Sequence, residues 1–100
     1  MVTTLTETFK SGPAAIRKAL RETLDARVPE FAHLLQWDEE GRRSSGSKLG
    51  AKGSVELIGD GPTTLTMTFS IGFPASLKMS EEKAARMLRE ELKELKARVP

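Results

Sequence analysis

The stretch of this sequence best suited to binding an anion is RRSSGSKLGAKGS, residues 42–54. It holds three glycines, no acidic residue and four cations, which are Arg42, Arg43, Lys48 and Lys52. A phosphate-binding loop reads G-x-x-x-x-G-K-[ST] and leads into a helix. Here the glycines are spaced four and three apart, and the pattern that follows predicts a strand. We interpret the stretch as a solvated connector, with weak, salt-sensitive contact to an anion or nucleic acid as the alternative.

The residue types that usually carry catalysis are sparse. The chain has a single histidine, His33, and no cysteine, whereas a catalytic zinc site commonly takes three protein ligands. The adjacent carboxylates Glu39-Glu40, Glu81-Glu82 and Glu90-Glu91 fall in a predicted turn or on the polar side of a helix. A general acid or base needs a shielded carboxyl group. We therefore expect a non-enzymatic protein with no cofactor, no catalytic residue and no metal site.

Length and composition limit the class of protein. One hundred residues predict one domain, residues 1–100. The apolar runs are only two or three residues long, so we expect no transmembrane segment and no signal peptide. The lack of cysteine fits a reducing compartment, and we expect a cytoplasmic protein. A net charge of +2 is too small to indicate a nucleic-acid partner by itself.

In the first half of the chain, the patterns predict a strand, a helix and a second strand. Met1 to Phe9 alternates threonines with Leu5 and Phe9, which is typical of a strand. Pro13 begins a helix, and its apolar stripe consists of Ile16, Ala19, Leu20, Leu24 and Val28. Pro29 is expected to end that helix. A second strand is predicted from Phe31 to Trp37, with Phe31, His33, Leu35 and Trp37 on one face. Trp37 is expected to anchor the core.

The second half predicts a hairpin and a terminal helix. Asp38–Gly41 is a polar turn, and residues 42–49 form either a short edge strand or a loop. Strands are predicted over Ser54–Gly59 and Thr63–Ile71, joined by turn residues 59–62. Thr63–Ile71 alternates apolar with hydroxyl side chains, which gives it one core face and one wet face. A helix capped by Ser80 runs to Arg98, and its apolar stripe consists of Ala85, Leu88, Leu92, Leu95 and Val99.

These elements predict an α+β fold in the order β-α-β-β-β-α. Short turns between strands favour antiparallel pairing, and two helices with one apolar stripe each need a shared apolar surface. We expect a twisted antiparallel sheet of four to five strands with both helices packed on one face.

The segment between the last strand and the last helix leaves two interpretations open. Residues 72–79 carry Phe73, Leu77 and Met79. These side chains either close the core or expose an apolar surface for a partner.

The pattern from Trp37 onward resembles a known family. The chain has W-D-E-E-G, then G-A-K-G-S-V-E-L, an alternating strand that ends I-G-F-P, and a charged terminal helix. In these features it is similar to the small bacterial polyhydroxyalkanoic acid system protein family. The matching positions are Trp37, Gly50, Gly53, Val55, Leu57, Ile71, Gly72, Phe73, Leu88 and Leu92. The resemblance implies an accessory or granule-associated role in polyester storage, with a granule surface or granule protein as partner and no catalytic residues.

Two other kinds of partner stay open. The order of elements is also similar to the ribosome hibernation factors, so the alternative function is RNA or ribosome binding. However, the predicted terminal helix carries six cations and five glutamates over residues 81–98, and this balance favours a solvated helix. A homodimer that pairs sheet edges or helix faces is the third alternative.

Overall fold

The computed structural model describes residues 2–27, 29–33 and 35–99, and of residues 30 and 31 only the backbone. It contains four strands and three α-helices, with one turn of 3₁₀ helix before the last helix. The predictions for Met1 and Val28 lie outside the described residues. The α+β class is confirmed, and the order of elements differs from the prediction in one place.

The first strand and the first helix form where the sequence predicts them. Strand β1 spans Thr3–Phe9, and helix α1 spans Pro13–Arg27. Leu5 and Phe9 are buried on the inner face of β1. The predicted stripe of α1 from Ile16 to Leu24 is buried as well, together with Thr23.

The predicted strand over residues 31–37 is wrong. Residues Pro29–Ala32 form a short helix, α2, in which the N–H of His33 donates to the carbonyl of Pro29 at 3.1 Å. Proline suits the first position of a helix because its φ is preset and no needed N–H is lost. Pro29 therefore starts a helix here. Of the residues described in this range, Trp37 alone pairs as a strand residue, in an isolated antiparallel bridge with Ser44.

A polar hairpin follows the turn at Asp38–Gly41. Strand β2 spans Arg43–Lys48 and strand β3 spans Ala51–Ile58. Residues 42–49 are thus mainly an edge strand, one of the two predicted alternatives, and β3 begins three residues earlier than predicted. Strand β4 spans Thr63–Ile71, with the predicted bounds.

The terminal helix α3 spans Glu81–Arg98. The hydroxyl of Ser80 accepts the N–H of Lys83 at 3.1 Å, which confirms the predicted cap. Glu81 and Glu82 lie in the first turn, while Lys96 and Arg98 lie in the last, and both placements suit the helix dipole.

The four strands form one antiparallel sheet in the order β1-β4-β3-β2. One face of the sheet packs against helices α1 and α3, so the predicted two-layer arrangement is confirmed. The buried core draws on every layer: Phe9, Leu57, Leu65 and Phe69 from the sheet, Ile16, Leu20 and Leu24 from α1, and Leu88, Leu92 and Leu95 from α3. The other face of the sheet is open.

Candidate functional site

The basic stretch does not form one cationic cluster. Arg42 donates from Nη1 to the carbonyl of Gly59 at 3.1 Å, and its Nη2 contacts the carboxylate of Asp60. Arg43 forms an ion pair across the strands with Glu56 at 2.8 Å. Both arginines therefore hold parts of the chain together. The guanidinium groups already have hydrogen-bond or ion-pair partners within the fold.

The two lysines of the stretch lie at the opposite end of the hairpin. Five steps of about 3.3 Å along β2 separate Arg43 from Lys48 by roughly 17 Å. Lys48 pairs with Ala51 and Lys52 with Ser47, so the lysines lie on opposite faces of the sheet. Among the described residues, neither lysine has an ion-pair partner. The fold therefore does not bring Arg42, Arg43, Lys48 and Lys52 to a common anion.

An exposed apolar surface lies beside these lysines. Phe73 and Leu77 are each 76% exposed and Leu49, in the β2–β3 turn, is 66% exposed. We call Leu49, Phe73 and Leu77 the apolar tip. Of the two interpretations of residues 72–79, the exposed one fits Phe73 and Leu77. Met79 is half-buried against the core and closes it.

Backbone hydrogen bonds hold the two segments of the apolar tip together. The N–H of Gly72 donates to the carbonyl of Gly50 at 2.8 Å, and the N–H of Ala75 donates to the carbonyl of Leu49 at 2.9 Å. A 3₁₀ helix over Ala75–Leu77 then fixes the chain between β4 and α3. The apolar side chains are thus displayed on an ordered backbone.

The turn that carries Leu49 has an unusual backbone. Leu49 has φ of 51° and Gly50 has φ of 90°. Two-residue hairpin turns of the I′ type need positive φ at both central positions and strongly prefer Asn-Gly or Asp-Gly there. A leucine in the left-handed region is strained. The sequence therefore keeps an exposed apolar side chain where a polar residue would stabilise the turn.

The segments that carry the apolar tip contain lysines and no carboxylate. Residues 44–55 and 61–80 contain Lys48, Lys52 and Lys78 and no acidic residue. The nearest carboxylate in the chain after Lys78 is that of Glu81, which accepts the N–H of Ile71 at 3.3 Å and the hydroxyl of Thr3 at 2.9 Å. This carboxylate is engaged in joining α3 to the sheet.

The open face of the sheet offers hydroxyl groups and no aromatic platform. Register pairs Thr4 with Thr68 and Thr6 with Thr66, and the hydroxyls of Thr8 and Thr64 lie 3.2 Å apart. Stacking of nucleobases needs exposed aromatic rings, and the described strands place none on this face. Trp37 is half-buried against the core, as expected of an anchor.

The titratable groups of the described residues include two carboxylates with shifted pKa values. His33 is exposed after α2, and no group of three His, Asp or Glu side chains is placed to hold a metal ion among the described residues. Hydrogen bonding from the backbone N–H of Arg42 lowers the pKa of Asp38. Burial raises the pKa of Glu91, which lies 3.4 Å from the Nε of Arg27. Both carboxylates are used structurally.

Phe73 and Leu77 were named from the sequence as residues of a possible partner surface, whereas Leu49 was not. The signal for Leu49 was the Leu-Gly dipeptide between two strand patterns, which places an apolar side chain at the end of a hairpin. Strand β2 had to be recognised before that turn could be located. Its polar sequence RSSGSK gives no alternation of apolar and polar residues.

Comparison with known proteins adds no family to these observations. Neither a protein-family model nor any curated protein or solved structure matches the chain. The resemblance to the polyhydroxyalkanoic acid system family therefore stays a hypothesis based on its quoted motifs. Within residues 2–27, 29–33 and 35–99, no helix is long and apolar enough to cross a bilayer.

Proposed function

We propose that this chain is a non-enzymatic binding protein that docks on polyhydroxyalkanoate granules through the apolar tip. The observation that carries the proposal is the exposure of Phe73 and Leu77, each 76% accessible, on a backbone tied to the β2–β3 turn. The motif resemblance supplies the polyester as the candidate partner. The tip supplies a surface with the apolar chemistry that such a partner requires.

The energy available from the apolar tip can be bounded. Complete burial of a leucine or phenylalanine side chain contributes about 1.5–3 kcal/mol, and the three side chains are already partly covered. Their further burial gives roughly 4 kcal/mol, which corresponds to a dissociation constant of about 1 mM. The tip alone therefore supports reversible adsorption, and tighter docking needs additional contacts.

A sedimentation assay with amorphous polyhydroxybutyrate particles tests the proposal. We expect the wild-type chain to pellet with the particles and the double variant Phe73→Ser/Leu77→Ser to bind about 100-fold more weakly, because it loses two of the three apolar side chains. The matched control is Ile58→Ser, because Ile58 is 58% exposed but lies on β3, outside the tip. The control is expected to bind like the wild type. Thermal unfolding of each variant checks that the fold is intact.

Three outcomes would contradict the proposal. The wild type could fail to pellet, or the double variant could pellet as well as Ile58→Ser. Alternatively, the apolar tip could be covered by a second copy of the chain, which would appear as concentration-dependent dimerisation abolished by Phe73→Ser/Leu77→Ser. Analytical ultracentrifugation of the same variants detects that outcome.

RNA or ribosome binding is the competing function, and it makes a different prediction. Its binding would fall steeply with salt and would be lost on replacing Arg42, Arg43, Lys48 and Lys52 with serine. The geometry gives it less support, because both arginines already have partners in the fold. A salt titration with single-stranded RNA separates the two functions.

A further inference from the structure

We infer that the surface on which the apolar tip docks is coated with anionic lipid, whose headgroups the flanking lysines contact. This inference rests on the proposed function and names the chemistry that the same site meets. A polyester carries no charge, so bare polyester offers no electrostatic partner to Lys48, Lys52 and Lys78. An anionic lipid layer offers phosphate to the lysines and acyl chains to Leu49, Phe73 and Leu77.

Two lysines are direct sequence neighbours of leucines in the apolar tip. Lys48 directly precedes Leu49, and Lys78 directly follows Leu77. Both lysines are exposed and, within the described chain, neither forms an ion pair. Lysine can keep its ammonium group at the level of headgroups while its methylene groups lie against apolar surface. Each side of the apolar tip therefore has a cation suited to the interfacial region.

The opposite end of the sheet has a different character. The β3–β4 turn lies there, and its Asp60 contacts Arg42. The turn at Asp38–Gly41 adds Glu39 and Glu40, both exposed. Both arginines of the basic stretch also lie at this end, so its carboxylates are largely balanced by cations. The lysine-flanked end has no such balance beside the apolar tip and is attracted to an anionic surface, which favours an orientation with the tip toward the lipid.

The lysines supply the additional binding that the apolar tip lacks. A lysine near an anionic bilayer surface strengthens binding by about fivefold, and the effect falls off within a Debye length. Lys48 and Lys78 together are therefore expected to contribute on the order of 25-fold. Insertion of exposed apolar side chains combined with attraction of cations to headgroups is the usual mode of interfacial binding.

The test uses the full chain and three surfaces. These are vesicles of phosphatidylcholine, vesicles that also contain phosphatidylglycerol, and polyhydroxybutyrate particles without lipid. We expect at least tenfold tighter binding to the anionic than to the neutral vesicles. Lys48→Gln/Lys78→Gln is expected to lose about 25-fold on anionic vesicles and little on bare polyester.

A control variant separates this contact from general charge attraction. Lys18→Gln/Lys93→Gln removes the same charge from exposed positions on α1 and α3, and its binding to anionic vesicles is expected to change by less than about twofold. Equal binding to neutral and anionic vesicles, or an equal loss in both variants, would overturn the inference. If the wild-type chain still binds polyester particles without lipid, the proposed function is supported even though this inference is wrong. Anionic-vesicle binding through Phe73 and Lys78 without retention on polyester would instead overturn the proposed function.

Discussion

Gly50 and Phe73 approach each other so closely that a side chain cannot be added between them. A Cβ atom built on Gly50 would lie 2.3 Å from the carbonyl oxygen of Phe73. This contact joins the β2–β3 turn to the connection between β4 and α3. It brings the backbones of Leu49 and Phe73, two exposed residues far apart in sequence, close together.

The first prediction concerns Gly50→Ala. Because Gly50 has φ of 90° and the new Cβ would meet backbone, we expect the free energy of unfolding to fall by about 2 kcal/mol or more. Gly53→Ala is the matched control, since its Cβ would lie 3.9 Å from the nearest atom, the carbonyl oxygen of Thr68. Urea unfolding measures both. Equal effects in the two variants would show that the turn and the connection are not packed as described.

The second prediction concerns Leu49, whose φ of 51° is better suited to asparagine. We expect Leu49→Asn to raise the free energy of unfolding by about 0.5–1 kcal/mol, because it relieves strain in the turn. The same change is expected to weaken adsorption to polyester, because it removes an apolar side chain from the tip. Leu49→Ala should weaken adsorption without the gain in stability. If Leu49→Asn binds like the wild type, Leu49 is not part of the docking surface.

The third prediction separates the four cations of the basic stretch. Arg42→Ser removes the hydrogen bond to the carbonyl of Gly59 and the contact with Asp60, and is expected to cost about 1 kcal/mol. In a domain of this size that lowers the melting temperature by roughly 4–8 °C. Lys48→Ser/Lys52→Ser should change the unfolding free energy by less than about 0.5 kcal/mol, so its melting temperature should lie within about 2–4 °C of that of the wild type. A large loss in the lysine variant would reveal partners for these side chains.

The fourth prediction concerns Glu91, which is 5% exposed. Burial raises its folded-state pKa above the ordinary value, with the charges of Glu94 and Glu90 adding to the increase and those of Arg27 and Arg98 opposing it. The folded state therefore holds the proton more tightly than the unfolded state. This contribution to stability is fully present below the unfolded pKa and is lost as pH rises through the folded pKa.

Comparison of two glutamine variants tests the direction in which Glu91 makes the unfolding free energy depend on pH. The difference in unfolding free energy between Glu91→Gln and the wild type should grow in favour of the variant as pH rises through that window. Glu22→Gln, which changes an exposed glutamate of α1, is the matched control. Urea midpoints measured between about pH 4 and pH 8 provide the data. A constant difference for Glu91→Gln would mean that its carboxyl group is not desolvated.

The spacing of apolar residues correctly predicted the type and the buried face of the longest strand and the longest helix. Strand β4 alternates Leu65, Met67 and Phe69 with threonines, and helix α3 repeats its apolar residues at spacings of three and four, so each buries the predicted face. The pattern failed at residues 31–37. Alternation over so few residues does not distinguish a strand from a turn of helix, and there Pro29 begins a helix.

The sequence by itself determined the α+β class and the apolar stripes, because each depends on the spacing of neighbouring residues. It also named Phe73 and Leu77 as candidates, but it left open whether they close the core, and only the structure shows that they are exposed. Only the tertiary structure decided that Leu49 lies beside them and that Arg42 and Arg43 have partners. The N–H of Ala75 reaches the carbonyl of Leu49, and Arg42 reaches Gly59. Such contacts form between segments distant in the chain, and they depend on the register and order of the strands, which no local spacing encodes.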